Sequence, residues 1–75
     1  MTLTKEEKAF IKSFGKHIVA LRKEKKIKQI DLAIKMNIED SALRRIESGR
    51  TNPTLKTLLR IAEGLEVDFN SLFEF

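Results

Sequence analysis

The chain has 75 residues, 15 Lys and Arg against 11 Asp and Glu, a formal net charge of +4 and no cysteine. That length predicts one domain with a small core, and the missing thiols exclude disulfides and thiolate metal sites and fit a reducing cytosol. No run of about 18 apolar residues occurs, so no membrane-spanning helix is expected; the opening MTLTKEEKAF is too polar for a signal peptide, and the basic excess fits nucleic acid, an anionic surface or a merely solvated face.

Three glycines, one proline and almost no alternating hydrophobicity predict an all-α chain. The first helix follows Thr4, whose T-x-x-E spacing to Glu7 is a capping box, with Leu3 available to staple the first turn. Phe10, Ile11, Phe14, Ile18 and Leu21 recur at helical spacing, and the cations of KEKKIK end the helix near Lys25 or Lys26. A short second helix runs from about Gln29 to Met36, offering Ile30, Leu32, Ala33 and Met36 to a core, with Asn37 suited to the left-handed residue that closes it. A third runs from about Asp40 to Ser48, burying Ala42, Leu43 and Ile46, and Gly49 stops it. RTNP is a loop. Thr54 caps a fourth helix, LKTLLRIAEGL, with Leu55, Leu58, Leu59, Ile61, Ala62 and Leu65 on its inner side. Asp68 caps a short fifth, FNSLF.

Two short helices joined by a tight turn, over about residues 29–48, form a helix-turn-helix pattern. Gly15, Leu21-Arg22, Gln29, Leu32-Ala33, Ile38, Leu43, Ile46-Glu47, Gly49, Asn52-Pro53, Leu58, Ile61-Ala62, Leu65, Val67 and Leu72-Phe73 carry the rest by their joint spacing. On these residues the chain resembles the Xre/Cro/C1 repressor family. The resemblance implies an all-α, five-helix, lambda-repressor-like DNA-binding domain. It implies that the third helix enters the major groove and that Asp40, Ser41, Arg44 and Arg45 face the bases. Gln29, Arg50, Thr51 and Asn52 would then hold phosphates, and Lys28 could touch one. Arg22 and Glu47 match positions that form a partly buried ion pair. Spacing agrees: with Ala42, Leu43 and Ile46 inward, residues 40, 41, 44 and 45 share the other side. Arginine also fits guanine O6 and N7 well.

The sequence departs from the family pattern in places. Lys28 stands where threonine commonly caps the second helix, a loss of about 1 kcal/mol that Asp31 offsets in part through the dipole. Asn37 and Glu66 replace common glycines, and a left-handed glutamate is strained. Glu39 and Asp40 put two acids where a helix would meet a polyanion. Asp40 either pairs locally with Arg44 at i, i+4 or accepts from cytosine N4; otherwise DNA binding is weak or lost.

Lys12, Lys16, Lys23, Lys25 and Lys26 read as a mainly solvated face, with DNA steering as the alternative. His17 reads as a surface or packing residue, and Glu6 and Glu7 as capping residues. No nucleophile–base pair, metal cluster or phosphate loop is evident, so neither an enzyme nor a cofactor is expected. Phe69 and Leu72 would close the core, leaving Phe73 and Phe75 with little to bury against. An exposed aromatic cluster predicts a symmetric homodimer through residues 68–75, with Phe69, Leu72, Phe73 and Phe75 as its interface. The sequence thus predicts a dimeric, cytoplasmic, sequence-specific transcriptional regulator, bacterial or phage and associated with the nucleoid, bound to double-stranded DNA at a palindromic operator. It resembles small repressors and restriction–modification controller proteins. The alternatives are an antitoxin with a toxin partner, or an interaction module that has lost DNA.

Overall fold

A computed structural model describes residues 2–75. Four α-helices follow one another, α1 (Lys5–Glu24), α2 (Gln29–Met36), α3 (Asp40–Glu47) and α4 (Leu55–Leu65), and a one-turn 3-10 helix (Phe69–Phe73) ends the chain. No strand occurs among the described residues. The expected fifth α-helix is replaced by the 3-10 turn. Its five residues are too few for a run of i→i−4 bonds, and it closes by the tighter pattern instead, Ser71 N donating to Asp68 O at 2.9 Å. The Asp68 side chain makes no capping bond.

The start of α1 is fixed locally. Glu7 N donates to Thr4 Oγ1 at 3.1 Å and Thr4 N donates to Glu7 Oε1 at 2.7 Å, the two halves of a capping box. Thr54 caps α4 through Thr57 N at 3.2 Å. Lys28 and Glu39, at the starts of α2 and α3, make no side-chain cap.

All four α-helices end the same way. A left-handed residue, Lys26, Asn37, Gly49 or Glu66, follows the last turn at φ 58, 54, 74 and 57° respectively. The next amide reaches back five residues: Ile27 N to Arg22 O, Ile38 N to Ala33 O, Arg50 N to Arg45 O and Val67 N to Ala62 O, each at 2.9–3.1 Å. This is the Schellman arrangement, and Ile27, Ile38 and Val67 supply its apolar contact by packing on the core. Asn37 and Gly49 suit that backbone. Lys26 and Glu66 carry a Cβ that opposes it, by about 1–2 kcal/mol.

The core is Phe14, Ile18, Leu32, Ala33, Met36, Leu43, Ile46, Ile61, Ala62, Leu65 and Leu72. Four expected core positions lie outside it: Phe10, Ile30, Leu55 and Leu59 are each more than half exposed. On α4 the inward stripe is Leu58, Ile61, Ala62 and Leu65, and 100° per residue leaves Leu55 and Leu59 to one side. On α2 the stripe is Leu32, Ala33 and Met36, which turns Ile30 outward. Phe10 lies one turn beyond Phe14, past the core's edge. Ala42 is half-buried.

Two close contacts set α3 against α1. At Gly15 the backbones nearly touch: an added Cβ would fall 2.6 Å from both Ile46 O and Glu47 O. Beside it lies a buried charge. Glu47 Oε2 accepts from Arg22 Nε at 2.8 Å, and Oε1 accepts from Arg22 Nη2 at 3.2 Å and from Gln29 Nε2 at 2.7 Å. Arg22 Nη1 also donates to Ile27 O at 3.0 Å. The side chains of Arg22 and Glu47 are only 12% and 5% exposed. The end of α1, the start of α2 and the end of α3 therefore meet at one carboxylate.

Lys26→Gly and Glu66→Gly should each raise stability by about 0.5–1 kcal/mol, the relief of the left-handed Cβ less the entropy of glycine in the unfolded chain; thermal unfolding should show a gain of several degrees. Glu47→Ala should cost about 3–5 kcal/mol in denaturant titration, because it strands Arg22. The double change Arg22→Met with Glu47→Leu should recover most of that loss, since no buried charge remains.

Candidate nucleic-acid interface

Asn37, Ile38 and Glu39 connect α2 to α3. Left-handed Asn37 reverses the chain and Ile38 anchors the turn on the core, so α3 crosses α2 at a fixed angle. Leu43, Ile46 and Glu47 take the buried side of α3. Asp40, Arg44 and Arg45 are exposed on the other side and Ser41 is half-buried beside them, so the four expected base-facing residues form one surface. Asp40 Oδ2 lies 3.9 Å from Arg44 Nη2, the local i, i+4 pairing, with both side chains about half exposed. A pair so wet contributes little to stability. It does mean that the two acids at the start of α3 offset its two arginines.

The loop after α3 reaches back to the same surface. Arg45, Thr51 and Asn52 line one shallow hollow with Ile38, Ala42 and Thr54. Arg50 Nε donates to Ser48 Oγ at 2.9 Å, and Ser48 Oγ donates to Arg45 O at 3.2 Å, which stiffens the loop where it leaves the helix. Lys28 is exposed at the N-cap of α2. Gln29 is half-buried, and one hydrogen of its amide is already given to Glu47, leaving one for a ligand. Its place in that network could not be read from sequence, because Gln29 and Glu47 are 18 positions apart with no local pattern linking them.

At the C-terminus the structure corrects the expected interface. Leu72 is fully buried in the chain's own core and has no surface to offer a partner. Phe73 and Phe75 do find neighbours: Phe73 stacks on Phe14 and Phe10 at centroid distances of 5.4 and 6.4 Å, and Phe75 meets Phe10 and His17 at 5.3 Å each. The sequence reading missed these partners because it counted Phe10 as core. Phe69 is half-buried against Phe73. An apolar patch nevertheless remains, with Phe10, Phe73 and Phe75 at 53%, 36% and 52% exposure. A hollow lined by Phe10, Phe14, Phe73, Pro53 and Leu58 carries it towards α4, where Leu55 and Leu59 are also exposed. His17 donates from Nε2 to Ser71 O at 2.8 Å and so ties the last turn to α1. No group of three or more potential metal ligands occurs among the described residues, and none of their helices is long and apolar enough to cross a membrane.

The chain is similar to known proteins across most of its length. It is 41% identical over 58 residues to an immunity repressor protein of Bacillus phage phi105, covering 77% of this chain and 40% of that protein. It is 41% identical over 61 residues to the 10 kDa protein of the ImmF control region of the same phage, covering 81% and 68%. The chain thus spans less than half of the immunity repressor. Among solved structures, the restriction–modification controller protein C.AhdI from Aeromonas hydrophila superposes with a TM-score of 0.84 at 29% identity, over 87% of this chain and 98% of that one. The wild-type controller protein C.Esp1396I superposes with a TM-score of 0.79 at 35% identity, over 87% and 86%. The helix-turn-helix family model HTH_3 matches residues 18–72, which include all of α2, α3 and α4. The chain belongs to this Xre-type helix-turn-helix family.

Proposed function

We propose that the chain is a sequence-specific, DNA-binding transcriptional regulator that lays α3 in the major groove. The observation that carries this reading is the surface formed by Arg45 with Thr51 and Asn52, beside the exposed Arg44, on a helix whose other side is locked to the core. Family membership and the names of its relatives, an immunity repressor and two controller proteins, support it. Arg44 and Arg45 donate to base edges, guanine O6 and N7 above all. Ser41 adds a hydroxyl to the same face. Lys28, the free amide hydrogen of Gln29, and Arg50, Thr51 and Asn52 hold phosphates on either side and set the register. Asp40 keeps Arg44 company in the free protein. On DNA it is released to accept from cytosine N4, and it disfavours sites that place a phosphate nearby. The protein works in the cytoplasm, associated with the nucleoid, and acts by occupying DNA rather than by turnover.

The regulator acts as a homodimer. Phe10, Phe73, Phe75, Leu55 and Leu59 are the apolar groups a second copy would cover, with half-buried Phe69 at their edge. A two-fold pair would set two α3 helices about 34 Å apart, one turn of B-DNA, on a palindromic operator.

The test is a titration against the DNA upstream of the protein's own gene, at two salt concentrations, beside a scrambled duplex. Tight, salt-sensitive binding to the first duplex alone is expected. Arg45→Ala should then lose about 1–3 kcal/mol and relax the preference at one base pair. Equal weak binding to both duplexes would overturn the reading and favour a protein-interaction module. For the dimer, sedimentation equilibrium at tens of micromolar should give twice the monomer mass, and Leu59→Lys should halve it without lowering the melting temperature.

A further inference from the structure

The outer side of α3 carries no net charge, because Glu39 and Asp40 offset Arg44 and Arg45. A protein that grips a polyanion must therefore gather its cations elsewhere, since the non-specific part of affinity scales with the phosphates neutralised. A groove between the N-terminal half of α1 and the loop after α3 holds such cations. Lys8 and Lys12, one helical turn apart, line it together with Arg50, Thr51 and Asn52, over a floor that includes Leu3 and Ile11. No carboxylate among the described residues lines this groove, and Glu6 and Glu7 line the adjoining hollow. Both lysines are exposed, and neither joins an ion pair among the described residues. The contact between helix and loop is tight: a Cβ on Gly49 would fall 2.7 Å from Lys12 Cα. Lys12 thus stands directly against the loop that follows the reading helix. Thr51 and Asn52 line both this groove and the hollow beside Arg45, so the two surfaces are continuous.

From these observations we infer that the DNA-backbone track runs past the loop and onto α1, with Lys8 and Lys12 as two further phosphate contacts. An acidic peptide would also suit a basic rim over an apolar floor. Continuity with the reading face favours the nucleic-acid backbone. The inference rests on the DNA-binding reading above and assigns that surface its electrostatic grip: α3 chooses the sequence with a neutral face, and α1 with the loop supplies attraction blind to sequence.

The experiment measures log affinity against log salt for the protein, Lys8→Gln, Lys12→Gln and a control, Lys35→Gln, on the upstream duplex and the scrambled one, with a poly-glutamate peptide as a third ligand. Lys35 lies on α2 beside Glu66, at 3.7 Å. Each groove variant should make the slope shallower by about 0.9, by the same amount on both duplexes, with unchanged thermal unfolding. The control should leave the slope alone. An unaltered slope in both groove variants, with salt-dependent binding intact in the parent, would overturn the inference while the DNA-binding reading stands. Loss of poly-glutamate binding in Lys12→Gln with an unaltered DNA slope would also overturn it and assign the groove to an acidic peptide. A parent that binds neither duplex would overturn the DNA-binding reading itself, and this inference with it.

Discussion

The carboxylate of Glu47 governs how α3 is set against α1 and α2. It lies at the C-terminal end of α3, where the helix dipole disfavours an anion, and it is nearly closed off from water. An ion in that setting is tolerable only if its lone pairs are filled. Arg22 fills them as a two-pronged donor from α1, and Gln29 adds a third bond from the first residue of α2. No buried side-chain polar atom among the described residues lacks a partner. Because the three donors come from fixed points on two other helices, α3 can neither roll nor slide without breaking charge-assisted bonds. Gly15 lets α1 approach closely enough for Arg22 to reach. The aim of Arg44 and Arg45 is therefore set by contacts on the far side of their own helix.

Much of this was legible in the sequence, and the legible parts share a physical basis. The capping box at Thr4 and Glu7 and the cap at Thr54 depend on residues three apart, so a local pattern contains them. Asn37 and Gly49 announce left-handed helix ends because few other residues accept that backbone cheaply. The pairing of Arg22 with Glu47 came only through family resemblance, since 25 positions separate them. Lys26 gives no local hint of its conformation. Its φ of 58° follows from the burial of Ile27, which can be reached only if the chain turns there, so tertiary packing overrides the preference of the residue itself.

The misread positions have an equally specific cause. Hydrophobic periodicity says which residues could be inside, but the width of the buried stripe depends on how many neighbours a helix has. α4 is covered by α2 on one side and by the C-terminal turn on another, and Leu55 and Leu59 fall outside both. Phe10 was counted inward and Phe73 and Phe75 outward, whereas they lie together at the edge. Leu72 was read both as closing the core and as part of a partner surface, and it is wholly committed to the core. Aromatic count alone could not distinguish a side chain that closes a core from one that caps its rim.

The separation between the two sides of α3 has an evolutionary consequence. At eight residues the helix is too short to persist alone, so its existence is guaranteed by Leu43, Ile46 and Glu47. Asp40, Ser41, Arg44 and Arg45 contribute almost nothing to that guarantee. They are free to drift under selection for a new site while the scaffold keeps its stability. A fold divided in this way can acquire a different target through changes at a few solvent-facing positions, without passing through an unfolded intermediate in sequence space.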